Sequence, residues 1–380
     1  MKKVLSLFLS LILFCSGAAV FCSAADFTDE LDCRSAILVE ASTMRVLYEK
    51  NADTPYPPAS VTKIMTALLV FEALDNGQVT LKDKVPVSEN AANMGGSQVY
   101  LKVGEEMTLD DMIKSVMVSS ANDCAVALAE YVCGSETAFV QKMNERASQL
   151  GMKNTNFENV TGLDDTTKNH VTSARDIAIM SAELMKHKDV FNYSTIWMDT
   201  IRNGAFGLTN TNRLIRFYKG ANGLKTGMTQ KAGFCVSAAA KRGDMQLIAV
   251  IMGAPSRDTR NAAAAKLLDF GFANYGLYKV ESSDLAPVKL KGAYKDELSI
   301  RHGDFSALLP SSDLRGVTYE TKLPEYVSAP VKKGDAIGSI EFCSNGKPIG
   351  ETAIYADEDI DKISFGEMFK KLLYEFLLIK

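Results

Sequence analysis

The clearest hydrophobic pattern in the chain follows Ser60. Apolar residues recur after it at the three- and four-residue spacing of one helix face, at Ile64, Ala67, Leu68 and Phe71. The preceding segment, residues 55–58, is predicted to be extended because proline disfavours helix in the residue before it. The pattern therefore predicts a helix through Phe71, with Ser60 at or near its start.

Four more helices are predicted from capping residues in front of apolar periodic segments. They begin at Thr108, after the loop 119–122, at Ser135, and at Thr172 or Ser173. Two acidic residues, Asp110 and Asp111, occupy the first turn after Thr108, where the helix dipole favours negative charge. This part of the chain is therefore predicted to be mainly helical.

Strands are predicted on both sides of the helical region. Residues 35–40 and 45–48 look like a strand pair, and residues 233–240 and 246–252 are apolar runs joined by the turn 241–244. A helix containing Leu267 and Leu268 is expected to pack on the sheet that these strands form. The amino-terminal and central segments together predict one domain that mixes helices with a sheet.

The pattern changes at about Val280. Short segments of β-branched and polar residues alternate with turns up to about residue 358, which predicts a small all-β domain. Residues 363–380 then carry an apolar stripe at helical spacing with charges mainly opposite, interrupted too often for a membrane span. We expect this helix to lie in the membrane interface. A terminal helix packed on the β domain is the alternative.

The amino terminus has the layout of a cleaved secretory signal. Lys2 and Lys3 precede an apolar run over residues 4–15, and small residues lead to an expected cleavage after Ala24 or Ala25. The run is too short for a comfortable membrane span. The mature protein is therefore expected to work outside the cytoplasm.

Charge and cysteine content exclude several classes of protein. The net charge of −4 argues against a nucleic-acid partner, which would require a basic surface. Removal of the signal leaves an odd number of scattered cysteines, Cys33, Cys124, Cys133, Cys235 and Cys343, with no C-x-x-C pair. This spacing predicts neither a disulfide framework nor a zinc site.

Candidate catalytic chemistry begins with Ser60 and Lys63. Residues three apart on a helix share a face, so the lysine amine can reach the serine hydroxyl. A serine becomes a good nucleophile when a base takes its proton, and lysine can act as that base once burial and a nearby cation lower its pKa. A second S-x-x-K, from Ser344 to Lys347, lies in a turn and shows that the motif alone means little.

Two more motifs follow in order. Lys225 precedes Thr226 and Gly227, and it is the cation expected beside Lys63; the glycine allows close approach of a substrate backbone. Between the two lies Ser120-Ala-Asn122, whose hydroxyl can relay a proton and whose amide can hold a peptide. A similar match, Ser88-Glu-Asn90, makes this motif weak by itself.

Each motif alone also has an ordinary explanation. Ser60 can be a helix N-cap, Lys225 a solvated lysine at a strand end, and residues 120–122 a turn. All three in this order, in a secreted chain with no other catalytic set, favour catalysis.

The three motifs are those of class A β-lactamases and penicillin-binding proteins. The chain resembles this superfamily, and more closely the low-molecular-mass D-alanyl-D-alanine carboxypeptidases, over roughly residues 30–275. The resemblance rests on these segments: Pro58-Ala-Ser-Val-Thr-Lys-Ile-Met-Thr66, Gly96-Ser97 with Leu101-Lys-Val-Gly104, Ser120-Ala-Asn-Asp123, Asn210-Thr-Asn212, Gly223-Leu-Lys-Thr-Gly-Met-Thr229, Lys231-Ala-Gly-Phe234, and Gly253-Ala254 with Arg260.

The resemblance implies a fold and a domain organisation. The fold is α/β (α+β), a β-lactamase/transpeptidase-like catalytic domain whose antiparallel sheet is flanked by helices, with a small C-terminal all-β domain and a terminal amphipathic helix. The expected boundaries are 1–25 for the signal, 26–278 for the catalytic domain, 279–358 for the β domain and 359–380 for the membrane-anchoring helix.

The resemblance also implies catalytic roles. Ser60 forms the acyl-enzyme and Lys63 is the general base, while Ser120 and Lys225 assist proton transfer. Asn122 binds the substrate amide. No cofactor and no metal is implied.

Further implied roles concern substrate binding. Backbone N–H groups of Ser60 and Met228, next to Gly227, form the oxyanion hole. Thr226 and Arg260 bind the terminal carboxylate of the substrate, with Arg257 as the alternative to Arg260. Met228 departs from the His or aromatic residue expected there, and Ala121 replaces a common glycine.

The implied function is removal of the terminal D-alanine from peptidoglycan stem peptides ending in D-Ala-D-Ala, on the outer face of the cytoplasmic membrane. Penicillins and other β-lactams are the implied inhibitors, and the membrane surface is the partner of the C-terminal helix. A β-lactamase would need a Glu-x-x-Leu-Asn loop, which residues 157–163 lack. A transpeptidase differs only in the acceptor. A wall-binding protein with an inactive site would not need a nucleophile.

Overall fold

The structure of the protein is a computed structural model, and it describes residues 27–377. The predicted signal segment and the last three residues of the predicted terminal helix lie outside the described residues. The helices are α1 Lys63–Asp75, α2 Glu89–Ala92, α3 Leu109–Val118, α4 Asn122–Cys133, α5 Glu136–Gln149, α6 Ala174–Leu184, α7 Phe191–Ser194, α8 Leu214–Phe217, α9 Arg257–Asn274 and α10 Phe365–Phe376.

Seventeen strands accompany them in the described part of the chain. They are β1 Ser35–Glu40, β2 Val46–Lys50, β3 Lys84–Pro86, β4 Glu106–Thr108, β5 Met198–Ile201, β6 Phe206–Thr209, β7 Ala221–Thr229, β8 Gly233–Arg242, β9 Met245–Ala254, β10 Tyr275–Val280, β11 Asp284–Lys291, β12 Glu297–His302, β13 Phe305–Pro310, β14 Val317–Lys322, β15 Tyr326–Ser328, β16 Ala336–Ser344 and β17 Lys347–Ala356. Short 3₁₀-helices cover Ala59–Thr62, Lys188–Val190 and Leu314–Gly316.

The central sheet is antiparallel, with the strand order β2-β1-β9-β8-β7. Both of its faces are covered. Along β9, Ile248 and Val250 point into a core shared with α1 and α3 to α6, whereas Leu247 and Ile251 point into a second core under α9. A strand buried on both faces is apolar at every position, which explains the continuous hydrophobic runs in the sequence.

The capping residues act as predicted. The hydroxyl of Thr108 accepts the N–H of Asp111, and Ser135 and Ser173 accept N–H groups in the first turns of α5 and α6. Each cap satisfies one backbone donor that a helix start leaves without an intrahelical partner. The predicted starts of these helices are therefore confirmed.

The C-terminal strands form a separate six-stranded sheet, β14-β16-β17-β12-β11-β15. Its core contains Phe305 and Phe342, whose rings stack with centroids 4.1 Å apart. The second S-x-x-K motif spans the β16–β17 hairpin, in which Ser344 pairs with Lys347. That motif is therefore a turn, as its sequence context predicted.

Helix α10 begins at a capping box in which Ser364 and Glu367 bond each other's backbone N–H groups. Lys371 ties it to the β domain by donating to the carbonyl of Tyr294, at 2.9 Å. Its apolar side chains remain exposed; Phe365 is 86% exposed and Phe369 60%. None of the described helices is long and apolar enough to cross a bilayer.

Candidate active site

The candidate nucleophile lies in a 3₁₀ turn at the edge of the central sheet. Ser60 belongs to the turn Ala59–Thr62, and α1 begins only at Lys63. Side chains three apart eclipse one another in a 3₁₀-helix, so this turn aligns Ser60 with Lys63 more directly than an α-helix does. The serine is partly exposed, whereas Lys63 has no exposed surface.

Strand β7 passes directly beside this turn. A Cβ atom added at Gly227 would lie 2.8 Å from the backbone nitrogen of Ser60 and 2.9 Å from the carbonyl oxygen of Pro58. Only glycine allows the strand to come so close. The backbone of Gly227, the residue before Met228, therefore lies against the Ser60 backbone, where the resemblance implies an oxyanion hole.

The amine of Lys63 has three polar neighbours. Its Nζ lies 2.9 Å from Oγ of Ser60, 2.6 Å from Oδ1 of Asn122 and 2.8 Å from the carbonyl oxygen of Thr161. The last two oxygens can only accept. A neutral amine has two N–H groups, which these acceptors use, and one lone pair, which is left facing the hydroxyl of Ser60.

The electrostatic surroundings also favour a neutral Lys63. Burial lowers its pKa well below the ordinary lysine value, and the positive charge of Lys225 lowers it further, while Asp123 acts in the opposite direction. This is the protonation state that a general base requires.

The loop between α3 and α4 brings Ser120 and Asn122 to the same place. Asn122 donates from Nδ2 to the carbonyl of Gly95 at 2.7 Å, and this bond sets the orientation in which its oxygen faces Lys63. Ser120 has the positive φ of 66°, and among the described residues its buried hydroxyl has no hydrogen-bond partner. A buried, unpaired hydroxyl carries a cost that a bound substrate can relieve.

Lys225 is buried at the middle of β7. Its Nζ donates to the carbonyl of Thr226 at 3.0 Å. Burial lowers the pKa of Lys225 to about 7, and the positive charge of Arg260 contributes to the shift. This side chain can therefore change its protonation state near neutral pH.

The residues implied in carboxylate binding differ in their surroundings. The hydroxyl of Thr226 donates to that of Thr211 at 2.8 Å. Arg260 is buried and bonds Asn261 and the carbonyl of Cys235, whereas Arg257 is exposed. The side chain of Met228 is 57% exposed at the rim, so a long apolar group stands at the site entrance.

Three contributors were not predicted from the sequence. The carboxylate of Asp123 accepts the N–H groups of Val99 and Leu101, which holds that segment against α4. Thr161 supplies a carbonyl to Lys63, and Thr211 a hydroxyl to Thr226. Asp123 and Thr211 lie within the segments that carry the family resemblance, and that position could have identified them from the sequence. Thr161 acts through its backbone carbonyl, so no feature of the sequence could have identified it.

Comparison with known proteins agrees with this geometry. The family described as D-alanyl-D-alanine carboxypeptidase matches residues 22–256, and the penicillin-binding protein 5 C-terminal domain matches residues 287–362. D-alanyl-D-alanine carboxypeptidase DacF of Bacillus subtilis is 40% identical over 100% of both chains. DacC of Escherichia coli is 33% identical over 92% of this chain and 88% of its own length.

Solved structures give the same result. Penicillin-binding protein 5 from Haemophilus influenzae matches with a TM-score of 0.76 at 29% identity, covering 88% of this chain and 99% of that one. PBP3 from Streptococcus pneumoniae has a TM-score of 0.73 at 27% identity, covering 88% and 100%. The predicted fold class and the predicted enzyme class are confirmed, and the chain belongs to the D-alanyl-D-alanine carboxypeptidase family of serine peptidases.

Proposed function

We propose that Ser60 of this carboxypeptidase attacks the penultimate D-alanine carbonyl of a peptidoglycan stem peptide ending in D-Ala-D-Ala. The observation that supports this assignment is the position of the Lys63 amine, 2.9 Å from Oγ of Ser60 and within bonding distance of two oxygens that only accept. In a neutral amine those two oxygens take the N–H groups, and the lone pair is left for the Ser60 hydroxyl. Lys63 takes the hydroxyl proton as the Oγ–carbon bond forms.

The remaining steps use the other residues of the site. The N–H groups of Ser60 and Met228 bind the oxyanion, a contribution of about 3–4 kcal/mol per donor in comparable sites. Ser120, assisted by Lys225, passes its hydroxyl proton to the leaving amine as the peptide bond breaks, and it takes a proton in turn from Lys63, which becomes neutral again. Water then attacks the ester; Lys63 takes a proton from the water and passes it to Oγ of Ser60 as the ester bond breaks.

Binding of the substrate uses the ends of β7 and α4. Asn122 keeps one amide hydrogen beyond its bond to Gly95, and we assign that hydrogen to the substrate peptide carbonyl. Thr226 binds the terminal carboxylate, and the buried charge of Arg260 strengthens the local positive potential. A requirement for a terminal carboxylate restricts cleavage to the last residue.

The same nucleophile is proposed to react with penicillins. Penicillin-binding protein D2 from Listeria monocytogenes, of known structure in an ampicillin-bound form, is 31% identical over 65% of this chain, with a TM-score of 0.60. A β-lactam amide resembles the scissile peptide bond in the same geometry. We therefore expect a covalent adduct on Ser60.

The test is to incubate one sample of residues 26–380 with labelled penicillin and a separate sample with a peptide ending in D-Ala-D-Ala. We expect an adduct on Ser60 and release of one D-alanine per peptide. Ser60→Ala should abolish both, whereas Ser344→Ala, in the second S-x-x-K, should abolish neither. Labelling of Ser60→Ala, or transfer of the peptide to an added amine acceptor in place of water, contradicts the proposal; the second result identifies a transpeptidase, which frees the same D-alanine.

We further propose that the chain is secreted through a signal over residues 1–25 and held on the outer face of the cytoplasmic membrane. The proposed units are the catalytic domain 26–278, the β domain 279–358 and the anchoring helix 359–380. The exposed apolar side chains of α10, including Phe369 and Leu372, support the anchor because these side chains lack cover from the described protein.

A further inference from the structure

One buried histidine plays no part in the proposed chemistry. His170 lies between α5 and α6, is 3% exposed, and packs edge-on against Phe157. It stands at the end of a segment, residues 157–170, that lies beside the nucleophile turn. Because no catalytic step uses this imidazole, its role depends on which groups its hydrogen bonds hold in place.

The donor and acceptor roles of the two His170 ring nitrogens follow from their partners. The backbone N–H of Glu158 can only donate, so it donates to Nδ1 of His170, at 2.9 Å. The ring proton is therefore on Nε2, which donates to Oγ1 of Thr62 at 2.8 Å. Burial lowers the pKa of His170 to about 4, and Lys63 also lowers this pKa, whereas Glu158 and Asp164 raise it; at neutral pH the ring is therefore neutral.

These hydrogen bonds form a relay from Glu158 through His170 and Thr62 to Ala59, the residue before the nucleophile. The Thr62 hydroxyl, having accepted from His170, donates its own proton to the carbonyl of Ala59 at 2.8 Å. Ala59 has a φ of +49°, a left-handed conformation that costs an L-residue about 1–3 kcal/mol and persists only where neighbouring groups hold it. The Ala59 carbonyl orientation in turn sets the peptide unit whose N–H belongs to Ser60.

The same segment contacts the turn and α1 at other points. A Cβ at Gly162 would lie 1.9 Å from the Ala59 oxygen, which shows how closely the two backbones approach. Thr161 accepts from Lys63, and Val160 accepts from Thr66 at 2.7 Å. His170 therefore joins the segment that positions the base to the turn that carries the nucleophile.

We propose that His170 is a positioning residue: through Thr62 it holds the Ala59–Ser60 peptide so that the Ser60 hydroxyl and N–H face the substrate carbonyl. His170 touches none of the reacting groups. This inference rests on the proposed function, since it concerns acylation of Ser60. Misplacement of a reacting group by about 1 Å can cost about 100-fold in rate.

The test measures the acylation rate constant and the non-covalent dissociation constant for a labelled penicillin separately. Thr62→Val removes the hydroxyl at constant shape, and His170→Leu removes the donor. We expect each to slow acylation at least about tenfold with little change in non-covalent binding. The double variant should be no slower than either single variant, because both break one relay.

Conservative variants separate positioning from folding. Thr62→Ser, which keeps the hydroxyl, and His170→Gln, which keeps a donor, should return acylation toward the wild-type rate. Phe139→Leu in α5 serves as a core control with lowered thermal stability. The inference fails if folded Thr62→Val acylates at the wild-type rate, if Thr62→Ser is as slow as Thr62→Val, or if Phe139→Leu slows acylation equally. Absence of acylation in the wild-type protein would instead overturn the proposed function.

Discussion

The side-chain oxygen of Asn122 lies 2.6 Å from the amine of Lys63, while the nitrogen of the same amide donates to the carbonyl of Gly95. Asn122 therefore orients the base as well as being available to substrate. The amide also presents Lys63 with a neutral acceptor, which leaves the lysine free to lose its proton. A carboxylate in the same place would hold that proton on Lys63.

This relationship predicts the effect of Asn122→Asp. The new negative charge should raise the pKa of Lys63, so less of the neutral base is present at neutral pH. We expect acylation by penicillin to fall at least about tenfold at pH 7 and to recover partly at higher pH. Asn90→Asp, in the exposed Ser88-Glu-Asn90 segment, is the control and should leave the pH profile unchanged. An unshifted profile in Asn122→Asp would exclude Lys63 as the titrating base.

The acylation rate of the wild-type protein should depend on pH through the protonation of Lys63. Lys63 is active when neutral, and its lowered pKa keeps it neutral to a pH well below that of a solvated lysine. Acylation should therefore be fast above the lowered pKa and fall about tenfold per pH unit below it. Rates of adduct formation measured from alkaline to mildly acidic pH check this. A rate that stays flat down to mildly acidic pH means that another group is the base.

Lys225 should determine the pH at which the acylation rate begins to fall, the acidic limb of the pH profile. Its positive charge lowers the pKa of Lys63, so Lys225→Gln should raise the pKa and move the limb to higher pH, whereas Lys225→Arg should keep it in place. Both variants lose the titration near pH 7 that we assign to Lys225. The position of the limb, rather than the absolute rate, is the measurement, because both substitutions also disturb proton transfer. Equal profiles in the two variants would show that charge at this position has no influence on the base.

Much of this fold was predictable because its determinants are local. The caps at Thr108, Ser135 and Ser173 each act within one helical turn, so the sequence around them suffices. The apolar strands β8 and β9 were equally visible, since burial on both faces leaves no polar alternation. The Ser60–Lys63 pair was predicted on a helix face, whereas Ser60 lies in a 3₁₀ turn that β7 packs beside at Gly227.

The parts of the site that depend on distant segments were not predictable from local patterns. Thr161 contributes its backbone carbonyl, which any residue has, and it reaches Lys63 only because residues 157–170 fold against α1. Thr211 meets Thr226 by the placement of one loop beside β7. The same holds for the lowered pKa of Lys225, which arises from burial and from Arg260 on α9.

Gly227→Ala should impair catalysis more than folding. The added Cβ would lie 2.8 Å from the Ser60 nitrogen, so β7 or the nucleophile turn must shift and the oxyanion site must change. We expect kcat on a D-Ala-D-Ala peptide to fall about 100-fold or more. Gly207→Ala on β6, where a Cβ meets nothing within 4 Å, is the matched control and should keep wild-type activity. Comparable kcat values for the two variants would contradict the close approach.

His170 should contribute to the pH dependence of stability. Its pKa is about 4 in the folded protein against 6.5 for the unperturbed group, so between these values the unfolded chain binds a proton that the folded chain does not. The free energy of unfolding should therefore fall as the pH drops through 6.5 toward 4, by about 2–3 kcal/mol from this group. Denaturant unfolding at pH 7 and pH 4.5 measures the loss. In His170→Gln the loss should be smaller; an equal loss would assign it to other groups.

Helix α10 should bind a membrane through its exposed apolar face. Phe369 is 60% exposed on the apolar stripe of the helix, so a membrane interface can bury it, whereas a charge there should oppose insertion. We expect Phe369→Glu to reduce co-sedimentation of residues 26–380 with phospholipid vesicles several-fold while leaving D-alanine release from a soluble peptide unchanged. Tyr319→Glu places the same charge on a 69% exposed aromatic position of β14 and should leave vesicle binding intact. Equal losses in both variants would point to general surface charge, and binding retained in Phe369→Glu would remove α10 as the anchor.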